Sequence, residues 1–340
     1  MFGLKNHSRY TGSITDVTGI TVGHYTDASN GTGCTVVLSD DPATAGIEVR
    51  GAAPGSRETE LLHPLAAAQW VNGVMLTGGS VFGLDAPGGV IRYLEEKGVG
   101  LQFGRVRIPL VPAAVVFDLS FITSDVRPTA ENGYTAAAAS SREFERGSVG
   151  VGTGCTVGKT LGVGRSVKGG VGTSSVRLSD GTVVGALVAA NAIGDVVDPA
   201  DGQPIAAPLD ETGHGYLSTL DIMVSNPPRQ RGFFRNTVIG VIATDAKLDK
   251  IGASRLAIAA QDGIALAVRP AHTQNDGDTV FALATGKRDG TANLDALHAA
   301  ALRAMSGAVV DALLSATTLG GVRAVRDLPM GEKLMERWNG

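Results

Sequence analysis

Apolar residues along the chain follow the spacing of strands in some segments and of helices in others. The run Thr237–Ala243 has no polar alternation and predicts a strand covered on both faces. Other strands are predicted at Ile14–Val22, Cys34–Leu38, Ala45–Val49, Val74–Thr77, Ala113–Phe117, Val183–Asn191 and Ser218–Val224. Helices are predicted at Thr59–Val71, Ser80–Lys97, Thr129–Phe144, Ala246–Val268 and Asn293–Leu319.

Strands and helices mix along all 340 residues without a break in composition. The length allows two domains, but this mixing predicts one α/β domain over residues 1–340. The polar, turn-rich segment Asn226–Gly232 is predicted to be an exposed linker just before the Thr237 strand.

The overall composition is that of a globular protein, with 43% apolar and 18% charged residues. The net charge is −4 and no block of five like charges occurs, so we expect no nucleic-acid partner. The longest apolar stretch, Pro109–Phe117, is far shorter than a membrane span, and the first residues carry no apolar signal region. We therefore expect a cytoplasmic protein with no membrane contact.

The number of glycines bears on how the backbone packs, and the number of cysteines on whether disulfides hold the fold. There are 47 glycines, about twice the usual share, and many lie in Ser148–Gly172, where they predict bends or close backbone approach. The two cysteines, Cys34 and Cys155, exclude a disulfide scaffold and are predicted to be small buried residues.

Several familiar motifs are incomplete because a required residue is missing at its position. Gly158-Lys159-Thr160 lacks the first glycine of a P-loop, and Phe82 stands where a nucleophile elbow needs glycine. No dinucleotide fingerprint, zinc motif or calcium loop is present, so neither a metal nor an organic cofactor is expected.

The pair Asn236-Thr237 lies where the polar linker meets the buried strand. Cleavage between the two residues would give Thr237 both a hydroxyl and a free α-amino group. The pKa of such an amine is about 7.7–8.0, so it can accept the hydroxyl proton near neutral pH. Nucleophile and base then belong to one residue, the arrangement of N-terminal threonine hydrolases. On its own the pair also fits an ordinary strand start.

Several separated segments strengthen the hydrolase interpretation. They are RNTVIGVIATDAKL, AHTQNDGDTVFALATG, VGTGCTVGKTLGVG and ALVAANAIGDVVD, with ITDVTGITVGHYTD, RGAAPGSRETELLHP and MLTGGSVFGLDAPGGVIRYLEE earlier in the chain. In this order they resemble the self-processing P1 or S58 peptidases, which include L-aminopeptidase/D-esterases, β-peptidyl aminopeptidases and nylon-oligomer (6-aminohexanoate) endo-hydrolases. The resemblance covers about Ser13 to Leu319.

The resemblance assigns roles to individual residues. It implies that Thr237 is the nucleophile and Asn236 the new C-terminus, giving parts 1–236 and 237–340. It implies that Asp276 and Asp278 orient Thr237 and hold its ammonium group. Asn191 matches the oxyanion-hole asparagine, and Lys159 matches a lysine near the nucleophile. The fold implied is a four-layer αββα sandwich of the N-terminal-nucleophile type with two central sheets, and the assembly implied is a homotetramer.

One departure concerns the substrate. The nylon-oligomer hydrolases have a tyrosine in V-I-Y-D-F, whereas the matching V-V-F-D-L here carries Phe117, without the hydroxyl. Nylon-oligomer activity is therefore in doubt, although the hydrolase chemistry is not. The resemblance predicts an amide, ester or short peptide substrate and does not name which.

The residues alone leave other interpretations open. Asp276-Gly277-Asp278 also fits a turn, Lys159 a solvated surface residue, and Asn191 a strand-end amide. Gly78 and Gly79 fit a substrate cleft at a helix start, or close helix packing. The alternative functions are an acyltransferase on a related self-cleaving scaffold, like the ornithine acetyltransferases, and a non-catalytic relative that binds small molecules.

Overall fold

The computed structural model describes residues 10–225, 236–290 and 293–339, so the predicted linker 226–232 lies outside the described residues. The helices are α1 (Ala86–Glu96), α2 (Ala130–Ala138), α3 (Thr219–Ser225), α4 (Lys250–Ala267), α5 (Leu294–Ser315) and α6 (Gly331–Asn339). The strands are β1 (Ile20–Asp27), β2 (Thr32–Val49), β3 (Ser56–Arg57), β4 (Trp70–Thr77), β5 (Leu101–Phe103), β6 (Val106–Ile108), β7 (Ala113–Val115), β8 (Thr156–Val157), β9 (Val167–Lys168), β10 (Val171–Arg177), β11 (Val183–Asn191), β12 (Asp195–Val197), β13 (Pro204–Ala206), β14 (Thr237–Thr244), β15 (Val268–Arg269) and β16 (Thr279–Ala284).

The main sheet is mixed and has two halves joined by one long strand. Its order is β10-β11-β14-β16-β2-β4-β7-β3, and β1 also pairs with β2. The first part of β2 pairs with β1, and its last residues pair with β16. The pairing of β2 with β4 shifts register between Leu38 and Ala43. The two strands predicted at Cys34–Leu38 and Ala45–Val49 are therefore one continuous strand that belongs to both halves.

Three buried clusters separate four layers. Along β14, Val238 and Ile242 face α4 and α5, whereas Ile239 and Val241 face the other half of the sheet. The outer surface of that second half packs against α1 and α2. This alternation arises because successive strand residues point to opposite faces. It confirms the predicted four-layer αββα sandwich, with the central sheets joined through β2.

The helix predicted at Thr59–Val71 is wrong. Only a single 3₁₀ turn forms, at Glu60–Leu62, and strand β4 already begins at Trp70. Pro64 lacks an N–H and disfavours a helix interior. The segment's carbonyls are bound instead by the buried Lys250 ammonium, which donates to the carbonyls of Leu61, His63, Ala66 and Ala68.

The strand predicted at Ser218–Val224 is also wrong, because this segment is helix α3. Short apolar runs fit either a strand or a helix by periodicity alone. Here the Asp195 carboxylate accepts the N–H and the hydroxyl of Thr219, the first residue of the helix, and this capping favours the helical turn.

The glycine-dense segment is packed against other backbone, as predicted. A Cβ on Gly169 would lie 2.1 Å from the carbonyl oxygen of Ala190. A Cβ on Gly172 would lie 2.1 Å from the carbonyl oxygen of Ala308 in α5. Glycine therefore allows this segment to lie directly on β11 and on helix α5.

Helix α5 has 22 residues and a mean hydropathy of 1.3 in its most apolar window, values that a membrane-spanning helix would share. In this fold, 67% of that window is buried. Helix α5 therefore occupies the position of a core helix, packed against α4 and the sheet.

Both cysteines are free and fully buried, which confirms the prediction for Cys34 and Cys155. Burial raises the pKa of each thiol to about 12. The thiolate is the reactive form, so these cysteines are inert packing residues.

Candidate active site

The nucleophile predicted from the sequence, Thr237, is the first residue of β14 and is buried. The residue before it, Asn236, forms a parallel bridge with Asp276. In this bridge the Gly277 N–H donates to the Asn236 carbonyl oxygen at 3.0 Å. The fold thus brings the Asn236-Thr237 peptide bond onto the Asp276-Gly277-Asp278 segment, about forty positions later in the chain.

The Thr237 hydroxyl donates to the carbonyl oxygen of its own peptide bond, that of Asn236. The same oxygen accepts the Gly277 N–H, so two donors converge on it. A Cβ on Gly277 would lie 2.8 Å from the Ala53 carbonyl oxygen and 3.2 Å from Thr237 Oγ1. Gly277 has no left-handed backbone conformation, so lack of space rather than a turn requires glycine here.

The two aspartates of this segment are in different hydrogen-bonding states. Asp278 Oδ1 accepts the Val238 N–H at 2.7 Å, directly after the nucleophile. Its Oδ2 accepts the His272 N–H at 3.0 Å and lies 2.8 Å from His272 Nδ1. Both carboxylate oxygens of Asp278 therefore take part in hydrogen bonds.

Asp276 keeps one oxygen free of hydrogen bonds. Its Oδ2 accepts the Thr273 N–H at 2.7 Å, whereas its buried Oδ1 has no partner among the described residues. Burial and the neighbouring Asp278 charge raise the Asp276 pKa to about 6, with Lys159 opposing the shift. This carboxyl is therefore suited to exchange a proton near neutral pH.

Asn191 lies directly opposite Thr237 in the β11–β14 pair. Its Oδ1 accepts the Lys159 ammonium at 2.7 Å and the Thr156 N–H at 3.1 Å. These donors fix the amide orientation, and its Nδ2 donates to the Phe117 carbonyl oxygen at 3.1 Å. The second Nδ2 hydrogen remains for another acceptor.

Lys159 is buried, which rules out the alternative of a solvated surface lysine. Its ammonium also donates to the Asn191 carbonyl oxygen at 2.9 Å. Burial lowers its pKa to about 8, while the nearby Asp276 and Asp118 carboxylates favour the charged form. The site therefore contains a cation whose charge is set by its surroundings.

Gly78 and Gly79 lie against a carboxylate that the sequence analysis did not single out. Asp118, directly after Phe117, accepts the Gly79 N–H and the Thr32 hydroxyl, both at 2.7 Å. A Cβ on Gly78 would lie 2.1 Å from Asp118 Oδ2, so close packing explains this glycine. A substrate-binding role for Gly78 and Gly79 stays a prediction.

Two further elements of the site were missed from the sequence. One is His272, which was assigned no role from the sequence and contacts Asp278 in the fold. The other is the loop after β2, where the Arg50 and Ala53 N–H groups donate to the carbonyl oxygens of Asp278 and Asp276. The only sign of His272 in the sequence is its position, six residues before Asp278.

The described residues contain no group of three or more His, Cys, Asp or Glu side chains placed to hold a metal ion. The site consists instead of a hydroxyl, two carboxyls, an amide and an ammonium group around one peptide bond. The four-layer αββα fold, with a buried Thr at the start of a central strand, is the architecture of N-terminal-nucleophile hydrolases.

Comparison with known proteins gives the family. The model of peptidase family S58 matches residues 12–326. An uncharacterized aminopeptidase of Mycobacterium leprae is 42% identical, over 91% of this chain and 92% of its own length. The chain therefore belongs to peptidase family S58 and is a hydrolase. A 6-aminohexanoate-oligomer endohydrolase of Kocuria sp. is 28% identical, over 81% of this chain and 75% of its own length.

Solved structures agree on the fold. The L-aminopeptidase D-Ala-esterase/amidase of Ochrobactrum anthropi, described as a variant of the Ntn hydrolase fold, aligns with a TM-score of 0.71 and 20% identity. That alignment covers 100% of this chain and 96% of the other. A β-aminopeptidase of Burkholderia sp. aligns with a TM-score of 0.67 and 24% identity, with the same coverage.

Proposed function

We propose that the chain cleaves its own Asn236–Thr237 peptide bond and that the freed Thr237 is the nucleophile of an amide hydrolase. The observation that carries this proposal is the pair of donors on the Asn236 carbonyl oxygen, the Thr237 hydroxyl and the Gly277 N–H. A nucleophile beside a carbonyl that a backbone N–H already polarises is arranged for acyl transfer.

Self-cleavage follows from this arrangement in two steps. Thr237 Oγ1 attacks the Asn236 carbonyl carbon, its proton passes to the carboxylate of Asp276, and the Gly277 N–H stabilises the oxyanion. Asp276 then gives this proton to the nitrogen as the C–N bond breaks, the nitrogen leaves as the neutral α-amine, and an ester joins Asn236 to Thr237 Oγ1. Water hydrolyses this ester, leaving the Asn236 carboxylate and the free Thr237 hydroxyl. The products are residues 1–236 and 237–340.

In the mature enzyme the α-amine of Thr237 acts as the base for its own hydroxyl, since its pKa is about 7.7–8.0. Asp276 Oδ1, which has no hydrogen-bond partner within residues 10–225, 236–290 and 293–339, is available to hold this amine when it is protonated. Asp278 fixes the following Val238 N–H and thereby the position of the new chain end.

Asn191 supplies the oxyanion donor for the substrate reaction. It lies opposite Thr237, and Lys159 and Thr156 hold its amide so that Nδ2 points away from them. One such donor contributes about 3–4 kcal/mol to lowering the barrier. The substrate carbonyl is attacked by Thr237, an acyl-enzyme forms, the amine leaves, and water releases the acid.

The substrate class proposed is a small amide, ester or short peptide. Relatives named aminopeptidase and 6-aminohexanoate-oligomer endohydrolase support amide substrates in general. Phe117 lies at the site through its carbonyl contact with Asn191 but offers no hydroxyl, so nylon oligomers are disfavoured. We further propose a cytoplasmic homotetramer, and the two free buried cysteines fit a reducing compartment.

The test is a panel of α-, β- and D-aminoacyl p-nitroanilides with purified wild-type protein, Thr237→Ser and Thr237→Ala. We expect wild type to release p-nitroaniline from at least one substrate class, with a burst equal to the enzyme concentration wherever acylation is faster than hydrolysis of the acyl-enzyme. The serine variant retains turnover and the alanine variant has none. Turnover by the alanine variant equal to that of wild type would overturn the proposal.

A further inference from the structure

His272 contacts Asp278 with two donors that converge on one carboxylate oxygen. Its backbone N–H lies 3.0 Å from Asp278 Oδ2 and its Nδ1 lies 2.8 Å from the same atom. A carboxylate oxygen accepts hydrogen bonds, so the His272 tautomer that fits this contact has its hydrogen on Nδ1.

The backbone at His272 adopts an unusual conformation to make this contact. Its φ is +59°, in the left-handed region that non-glycine residues seldom adopt. This conformation is strained for a residue with a Cβ and persists where surrounding interactions determine it. Strain of this kind concentrates at functional sites.

The backbone N–H of Thr273, the residue after His272, also binds a carboxylate. Thr273 N–H donates to Asp276 Oδ2 at 2.7 Å, so consecutive backbone N–H groups hold both carboxylates. On Asp278 the ring nitrogen Nδ1 of His272 reaches the same oxygen, Oδ2, as the His272 backbone N–H, whereas Asp276 Oδ1 has no hydrogen-bond partner among the described residues. The two carboxylates are therefore held differently, and Asp276 keeps an oxygen for the proton.

Because His272 holds the Asp278 carboxylate, Asp278 in turn holds the start of β14. Its Oδ1 accepts the Val238 N–H, the first backbone donor after the nucleophile. Once the bond before Thr237 is cut, residues 237 and 238 form a chain end. Their position then depends on the β-ladder and on this contact.

We propose that His272 is a positioning residue: it holds Asp278 in the orientation that fixes the Val238 amide and therefore places Thr237 for both self-cleavage and turnover. This inference rests on the proposed function, since it assumes that Thr237 is the nucleophile. It assigns Asp278 to positioning and leaves the free oxygen of Asp276 for the proton.

Two substitutions in the full chain distinguish the effect of the His272 side-chain donor from that of its backbone conformation. His272→Asn tolerates the left-handed conformation and places its Nδ2 where Nδ1 lies, so it restores the donor. His272→Gly also tolerates the conformation but has no side-chain donor. His214→Asn is the matched control, because His214 is an exposed histidine outside the site.

The rate of self-cleavage is measured by intact mass, and kcat and KM are measured on a reactive p-nitroanilide. We expect His272→Gly to slow both self-cleavage and kcat by about 10- to 100-fold, the effect of losing one hydrogen bond to a charged group, with KM within about threefold. His272→Asn recovers to within about threefold of wild type. Should the glycine variant fail to fold, His272→Asp, with the shape of asparagine but no donor, is expected to be slow in its place.

Equal rates for His272→Gly and wild type would overturn this inference, and so would a His272→Asn variant as slow as His272→Gly. A wild-type chain that never cuts would overturn the proposed function instead. The two failures are therefore distinguishable.

Discussion

The Lys159 ammonium donates to both oxygens of Asn191, at 2.7 Å to the side-chain Oδ1 and at 2.9 Å to the backbone carbonyl. Asn191 in turn lies opposite Thr237 across two paired strands. One buried cation thus fixes the amide that faces the nucleophile, and this relationship makes the site testable by single substitutions.

Replacing Asn191 with aspartate keeps the acceptor for Lys159 and Thr156 but removes the Nδ2 donor. If Nδ2 stabilises the oxyanion, Asn191→Asp lowers kcat by about 10²- to 10³-fold. KM changes little because the interaction is made in the transition state. Steady-state kinetics on p-nitroanilides of the cleaved variant measure this, and a kcat within threefold of wild type would exclude the role.

The pH dependence of self-cleavage reports Asp276 and Lys159. Asp276 accepts a proton only when ionised, so the rate rises as pH passes its pKa of about 6. Lys159 loses its charge as pH passes about 8, which weakens its hold on Asn191 opposite Thr237, so the rate falls above that value. Intact-mass time courses from pH 5 to 9 are expected to give a bell-shaped profile.

The variant Lys159→Met tests the alkaline part of that profile. It has no titrating ammonium, so the fall above pH 8 is expected to disappear. The self-cleavage rate of this variant at pH 7 is expected to be about tenfold or more below that of wild type, because the charge-assisted hydrogen bond from Lys159 to Asn191 is lost. A wild-type rate that is flat across pH 5 to 9 would contradict the assignment of both groups.

Lys250 holds the irregular segment before β4 and gives a prediction for stability. The three N–H groups of its ammonium are shared among four carbonyl oxygens between Leu61 and Ala68, at 2.6 to 3.3 Å from Nζ. Lys250→Met removes these donors and is expected to lower the free energy of unfolding by about 2–4 kcal/mol. Denaturant unfolding measures the loss. The exposed Lys247→Met is the control and is expected to change stability by less than about 0.5 kcal/mol.

The sequence was most informative where one local pattern decided the structure. The unbroken apolar run at Thr237–Ala243 predicted a central strand, and β14 is that strand with one residue more. The resemblance singled out Asp276 and Asp278, and the fold brings their segment to Asn236. The order of the four layers came from resemblance rather than from periodicity.

The sequence failed where a distant side chain determined the local structure. Lys250 binds the carbonyls of the segment predicted as a helix, and Asp195 caps the segment predicted as a strand. The role of His272 depends on its backbone conformation and on a contact with Asp278, which neither composition nor spacing reveals.

The most direct test of the account is the intact mass of purified full-length protein after incubation at pH 7. The account predicts two chains, residues 1–236 and 237–340, which purify together because β14 is buried at the centre of the sheet. Thr237→Ala is expected to remain a single chain of 34.7 kDa. A wild-type chain that stays at 34.7 kDa, or a Thr237→Ala chain cut at the same bond, would contradict it.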